Sequence, residues 1–265
     1  MPTSLSIDRL RAEIAALEGS GHDAVAGTCP LGVPELDGAL PWGGLPLGCL
    51  HEIAPVSRSG GVEDGRGIEE GGVEDGAVLG FTASLLGRLG GRRPVLWVAA
   101  RDDLYAPGLT ALGLDPARLL VVRPGPAAQV LWALEEAVRC PALGGVAGEV
   151  WNLDFTAARR LHLAARSSGV PVLLLNRGQP CGPAMTRWRV GPDPSVAPPG
   201  EGVGPWRWRV ELVRCRGRGV GEDGVVSAWM VEWDDETRGF RVAAPAGHRP
   251  PMPAPRSRRG LRAAG

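Results

Sequence analysis

Residues 43–61, "GGLPLGCLHEIAPVSRSGG", read as a glycine turn, a short apolar strand over 49–54 and a Ser/Gly loop, and a helix-like run, "AVLGFTASLLGRL", follows over 77–89. Strand, glycine loop and helix in that order build a phosphate cradle. Backbone N–H groups surround the phosphates, a lysine reaches them and a Ser/Thr hydroxyl holds magnesium. Here that chemistry lacks its parts. All 29 basic residues are arginine, so no side chain can act as a phosphate-loop lysine, a Schiff-base amine or an amine base. The planar guanidinium fork does not replace a point charge on a flexible stem. A GC-rich coding bias toward Arg, Ala, Gly and Pro explains the general lack of lysine without restoring the chemistry. Only Ser57 and Ser59 offer hydroxyls near the loop. The hexapeptide GGVEDG stands at 60–65 and again at 71–76, and Glu63, Asp64, Glu69, Glu70, Glu74 and Asp75 crowd the region with negative charge. Such a loop repels a triphosphate, and its polar, glycine-rich composition predicts disorder near 57–76.

Arginine and tryptophan interleave in "TRWRV" (Arg187, Trp188, Arg189) and in "WRWRV" over 206–210. Stacking rings beside phosphate-neutralising cations hold nucleic-acid single strands. Strand alternation alone gives the same pattern, with Trp206, Trp208 and Val210 inward and Arg207, Arg209 and Glu211 outward. Either way Arg187, Arg189, Arg207 and Arg209 are candidate nucleic-acid contacts, with Arg214, Arg216 and Arg218 extending the basic surface. No acidic residue follows Glu236. The proline-rich end carries Arg249, Arg256, Arg258, Arg259 and Arg262 and is a candidate partner-binding segment, disordered on its own from about residue 245.

Other chemistries find no footing. The five cysteines contain no C-x-x-C and the four histidines no ligand spacing, so neither a metal site nor any other cofactor is expected, and reduced thiols fit a cytoplasmic protein. There is no G-x-S-x-G and no H-E-x-x-H. "WDDETRG" at 233–239 reads as a hairpin turn in which Gly239 takes the unusual backbone angles. Charges interrupt the apolar positions of the first helix, so no signal peptide is expected, and the longest apolar runs are far too short to span a membrane.

These residues must be positioned by a repeating pattern. An amphipathic N-terminal helix within residues 1–20 carries Leu5, Ile7, Leu10, Ile14 and Leu17 on one stripe. It either packs on the domain or binds a partner. After the opening strand, helices at 77–90, 105–113, 126–139 and 154–168 alternate with strands at 94–99, 119–122, 144–150 and 171–176, and Asp154 is a natural N-cap. Buried strands alternating with helices predict an α/β fold with a mostly parallel sheet covered by helices. Beyond residue 177 the period changes to two, which predicts antiparallel strands that extend the sheet.

This order of elements resembles the RecA-like ATPase core, and the expected organisation is a RecA-like domain over 21–244 followed by the tail at 245–265. The phrases "RDDLYAPGLTALGLDPARLLVVRP", "VLWALEEAVRCPAL", "GEVWNLDFTAARRLHLAARSSGVPVLLL", "TRWRV" and "VEWDDETRGFRVAAP" resemble, more specifically, the ImuA family of bacterial DNA-damage cassettes. The RecA resemblance assigns Asp102 or Asp103 to the neighbourhood of a water-activating base, Glu149 to a magnesium-holding acid and Asn176 to a nucleotide sensor. Helix capping, a structural carboxylate and a strand-end hydrogen bonder are the plainer roles for the same residues. They are expected to be remnants of a degenerate nucleotide site, because Arg101 stands where the base belongs and the loop has lost its lysine. The loop that follows Asn176 is reduced to "RGQPCGPAM", too short for the DNA-binding loop of a recombinase. The ImuA resemblance implies a non-catalytic adaptor in mutagenic translesion synthesis. Its partners would be an ImuB-like Y-family polymerase homologue, through it an error-prone C-family DNA polymerase, and RecA as a further candidate. Two rival expectations stand beside it: a single-stranded DNA-binding module or RecA-filament modulator, and a divergent DNA-dependent ATPase.

Overall fold

The structure is a computed structural model that describes residues 26–56, 73–100, 104–125, 127–151, 153–195, 202, 204–221 and 224–243. The expected N-terminal helix, Asp102, Asp103 and the arginine-rich tail lie outside the described residues, as does most of the acidic repeat.

One nine-stranded sheet organises the chain. In chain order its strands are β3 (Leu50–Pro55), β4 (Val95–Val98), β5 (Leu119–Val122), β6 (Gly145–Val150), β7 (Val172–Asn176), β8 (Thr186–Asp193), β9 (Arg207–Cys215), β10 (Ser227–Asp234) and β11 (Gly239–Val242). Two short strands, β1 (Thr28–Cys29) and β2 (Leu45–Pro46), pair separately. Across the large sheet the order is β11-β10-β9-β8-β3-β7-β6-β4-β5. The pairings from β8 to β5 are parallel and those from β8 to β11 antiparallel. The fold is α/β with a large, mostly parallel sheet, and the change of pairing comes one strand later than the change of period: β8, expected to be antiparallel, runs parallel to β3 and antiparallel only to β9.

The helices are α1 (Pro34–Ala39), α2 (Val73–Gly90), α3 (Ala106–Leu109), α4 (Ala127–Val138) and α5 (Phe155–Ser168). α2 lies against one face and α4 with α5 against the other. Alternation in the central strands feeds both layers: Leu173 and Leu175 join the α2 side, and Val172 and Leu174 the α4/α5 side. On the α2 side, Phe81 meets Trp188, Trp208 and Phe240 at ring separations of 6.1, 6.5 and 5.4 Å. Asp154 caps α5 by accepting a hydrogen bond from the Ala157 N–H at 2.9 Å, and Gly169 closes the helix in the left-handed region. No helix among the described residues is long and apolar enough to cross a membrane.

Four details differ from the sequence expectation. α2 starts at Val73, inside the segment expected to be disordered. The helix expected over 105–113 is only Ala106–Leu109, because Gly108 is a poor helix former and Gly113 turns the chain at φ 78°. In the β10–β11 hairpin it is Arg238, not Gly239, that takes a positive φ, 48°. There Asp234 Oδ1 accepts from the N–H groups of Glu236 and Thr237 and fixes the turn. Trp206 precedes β9 and is exposed rather than turned inward.

His51 shows how tightly the core specifies its polar groups. The Pro46 carbonyl can only accept, so Nε2 carries the proton and donates to it at 2.9 Å. Nδ1 then accepts from the Thr186 hydroxyl at 2.8 Å, while Trp188 Nε1–H donates to the same hydroxyl oxygen at 2.8 Å. Burial lowers the pKa of this imidazole to about 4, whereas an unfolded histidine titrates near about 6.5. Between those values the unfolded chain binds the extra proton, so stability falls as pH drops. The melting temperature should decrease from pH 7 to pH 5, and His51→Gln should flatten that part of the profile. An unchanged profile in the variant would remove His51 as its source.

Candidate functional site

The candidate site lies at the carboxyl end of the parallel strands, where β3 runs between β7 and β8. In open α/β sheets that end, at a reversal of strand order, is where ligands bind. The connection leaving β3 leads through α2 to β4, three places away across the sheet, while β8 lies on the other side.

Glu52 stands at the centre of this region. It is buried and opposite Arg187 in the β3–β8 register. Its Oε2 accepts from Arg187 Nε at 2.7 Å and its Oε1 from Asn176 Nδ2. The Cys181 N–H donates to Oε1 at 3.3 Å, and the Cys181 thiol to Oε2 at 3.5 Å. Burial, followed by the neighbouring Glu52 charge, pushes the Cys181 pKa up to about 12. The sulfur therefore stays a thiol and serves as a hydrogen-bond donor rather than a nucleophile.

Asn176 is fully occupied on its donor side. Nδ2 donates both to Glu52 and to the Gln179 carbonyl, and Oδ1 accepts from the Gly178 N–H at 2.9 Å. An amide has two N–H donors, so neither is left for a nucleotide unless this turn opens. Arg187 further donates to the Cys181 carbonyl at 2.8 Å, and Arg214 to the Gly182 carbonyl at 2.8 Å. The loop after β7 is thus fastened at several points. A polar cleft of about 450 Å³ lies beside this knot, reached by Arg177, Gln179, Arg187 and Arg189. A more apolar groove of about 550 Å³ opens on the α2 side, walled by Leu79, Leu104, Tyr105, Leu109 and Trp206.

The structure joins Asn176 to Arg187 through Glu52 but puts Glu149 elsewhere. Glu149 is buried on β6, in phase with Ala147 and so toward the α2 layer, away from Glu52. Arg189 and Arg209 both reach Glu211, at 4.0 and 2.6 Å. Arg207 corrects its expectation. It is on the predicted face but buried, held by Asp193 of β8 at 3.1 Å and Glu232 of β10 at 3.6 Å. Cross-strand carboxylates on both sides draw its guanidinium down to the sheet. Among the described residues no group of three or more His, Cys, Asp or Glu side chains could hold a metal ion.

Glu52 itself was missed as a site residue. The available signal was a charged residue inside "LHEIA", a strand expected to be buried on both faces, since carboxylates are almost never fully buried unless paired.

No family model matches the chain. Protein ImuA from two strains of Caulobacter vibrioides is 38% identical to it over 229 residues, a match that covers 80% of this chain and 87% of the relative.

Removing one partner of the buried pair leaves the other charge uncompensated. Glu52→Ala should cost about 3–5 kcal/mol in urea unfolding. The double change Glu52→Leu with Arg187→Met should cost clearly less. Equal losses in the two variants would mean that the charge pairing is not what matters.

Proposed function

Because the chain belongs to the ImuA family, we propose that it is a non-catalytic, RecA-like adaptor in the damage-induced mutagenesis system that pairs ImuA with ImuB. In this reading it works in the cytoplasm and binds an ImuB-like Y-family polymerase homologue. Through that protein it meets an error-prone C-family polymerase, with RecA as a second candidate partner. The observation that carries the reading is the Glu52 knot. Beside the cleft at the carboxyl end of the parallel strands, where a phosphate cradle needs spare donors and a cation, Arg187 and Asn176 already serve an internal carboxylate. The chain holds no lysine to add. Replacing those contacts with triphosphate contacts would strand a buried anion, at a cost of several kcal/mol.

The RecA-like part of the proposal draws on topology. A central first strand flanked by the fifth and sixth, with antiparallel strands beyond, keeps the frame on which such a cradle is built. A frame without the cradle is suited to presenting surfaces, since function resides in sites carried on a fold rather than in the fold itself.

Three measurements test the reading. Titration with a fluorescent ATP analogue should give no saturable binding below millimolar concentration, and phosphate release with ATP and single-stranded DNA should stay at the buffer rate. Hydrolysis that disappears on substituting Asp102, Asp103 or Glu149 would replace the adaptor with an ATPase. An ImuB-like protein should be captured by the full chain and captured less by a chain ending at residue 244. Equal capture would move the binding surface off the tail.

A further inference from the structure

The face of β8–β11 turned away from α2 has a layered charge distribution. Two rows cross these strands. In the first, Asp193, Arg207, Glu232 and Arg241 alternate from β8 to β11 in register. They are ion-paired in sequence at 3.1, 3.6 and 2.9 Å. In the second, Glu211 of β9 holds both Arg189 and Arg209. The carboxylates lie close to the sheet, with Glu211 and Glu232 side chains only 7 and 15% exposed. Arg189, Arg209 and Arg241 stand above them at 50, 56 and 58%. The inner layer, three carboxylates with the buried Arg207 between two of them, is net negative and orients the outer one, so what meets solvent is a set of upright guanidiniums. Each uses part of its donor fork on its carboxylate and keeps N–H groups for a second acceptor. No described helix packs on this face, since α4 and α5 cover β6, β7 and their neighbours.

We propose that this face binds the phosphate backbone of single-stranded DNA, with Arg189, Arg209 and Arg241 as the contacts. A protein partner would need an apolar anchor at the centre of the patch. The strand positions beside the three arginines offer only half-buried Met230 and the small, exposed Ala228. Phosphates need charge and donors alone. By strand spacing the backbone positions of the three arginines are roughly 8 and 12 Å apart, stepping across the sheet. A flexible strand can follow those steps, whereas a rigid duplex cannot adapt to them. With no exposed ring on the described part of this face, bases are not read, and binding is insensitive to sequence. Arg189 also reaches the cleft beside the Glu52 knot, so the surface adjoins that site, but it does not depend on the adaptor role.

The test uses the full chain and a fluorescein-labelled 20-nucleotide single strand, followed by anisotropy between 50 and 200 mM salt. Arg189→Gln, Arg209→Gln and Arg241→Gln are combined in one variant, with Arg139→Gln, an exposed arginine just after α4, as the control. Three lost phosphate contacts should reduce the slope of log K against log salt by about 2 and weaken binding by about tenfold or more. The tail arginines are present in both proteins and cancel. Circular dichroism and the melting temperature establish that the variant is folded. A folded triple variant that binds like the wild type overturns the proposal, as does absence of binding by the wild type. Equal affinity for a 20-base-pair duplex, or displacement of the strand by an equal concentration of polyglutamate, would assign the face to another ligand and also overturn it.

Discussion

The Glu52–Arg187 ion pair is the constraint around which the carboxyl end of the sheet is arranged. A buried carboxylate is tolerable only when its lone pairs are satisfied, and satisfying this one recruits groups from β7, β8 and the loop between them. Arg187 comes from the strand on one side and Asn176 from the strand on the other, and the Cys181 N–H and thiol close the remaining space. The β7–β8 loop takes the shape that delivers those donors. The same interaction that holds the loop therefore occupies both Asn176 donors and part of the Arg187 fork, which links the stability of this end of the sheet to the chemistry proposed for it.

Most elements were legible in the sequence because their signals are local. Apolar runs of four to six residues separated by helical periods gave β4 to β7, α4 and α5 to within a residue or two, and the Asp154 cap followed from residue type and position. α3 was overestimated because its apolar spacing continued through Gly108 to Gly113, where the backbone turns. The site was far less legible. Glu52 meets Asn176 across 124 positions of sequence and Arg187 across 135, and local pattern carries no information on pairings of that range. Arg207 failed for a related reason. Alternation predicts which face a side chain takes, but only the register of the neighbouring strands says whether acids await it there.

The two faces of the β8–β11 extension divide the work of the strands. One face carries Trp188, Trp208, Trp233 and Phe240 into the core, and the other carries the ion-paired rows. Period-two alternation produces both from the same short segments. The abundance of arginine in "TRWRV" and "WRWRV" is thus neither purely structural nor purely a recognition signal: Arg207 and Arg187 serve the fold, while Arg189 and Arg209 stay largely at the surface.

The aromatic cluster has a consequence for how the domain comes apart. Phe81 on α2 touches rings from β8, β9 and β11 at once, so the antiparallel strands share one interior with the parallel ones. A chain cut after β8 would open that interior to water rather than release a detachable module. Unfolding should accordingly be cooperative, a single transition in which the sheet's two halves lose structure together.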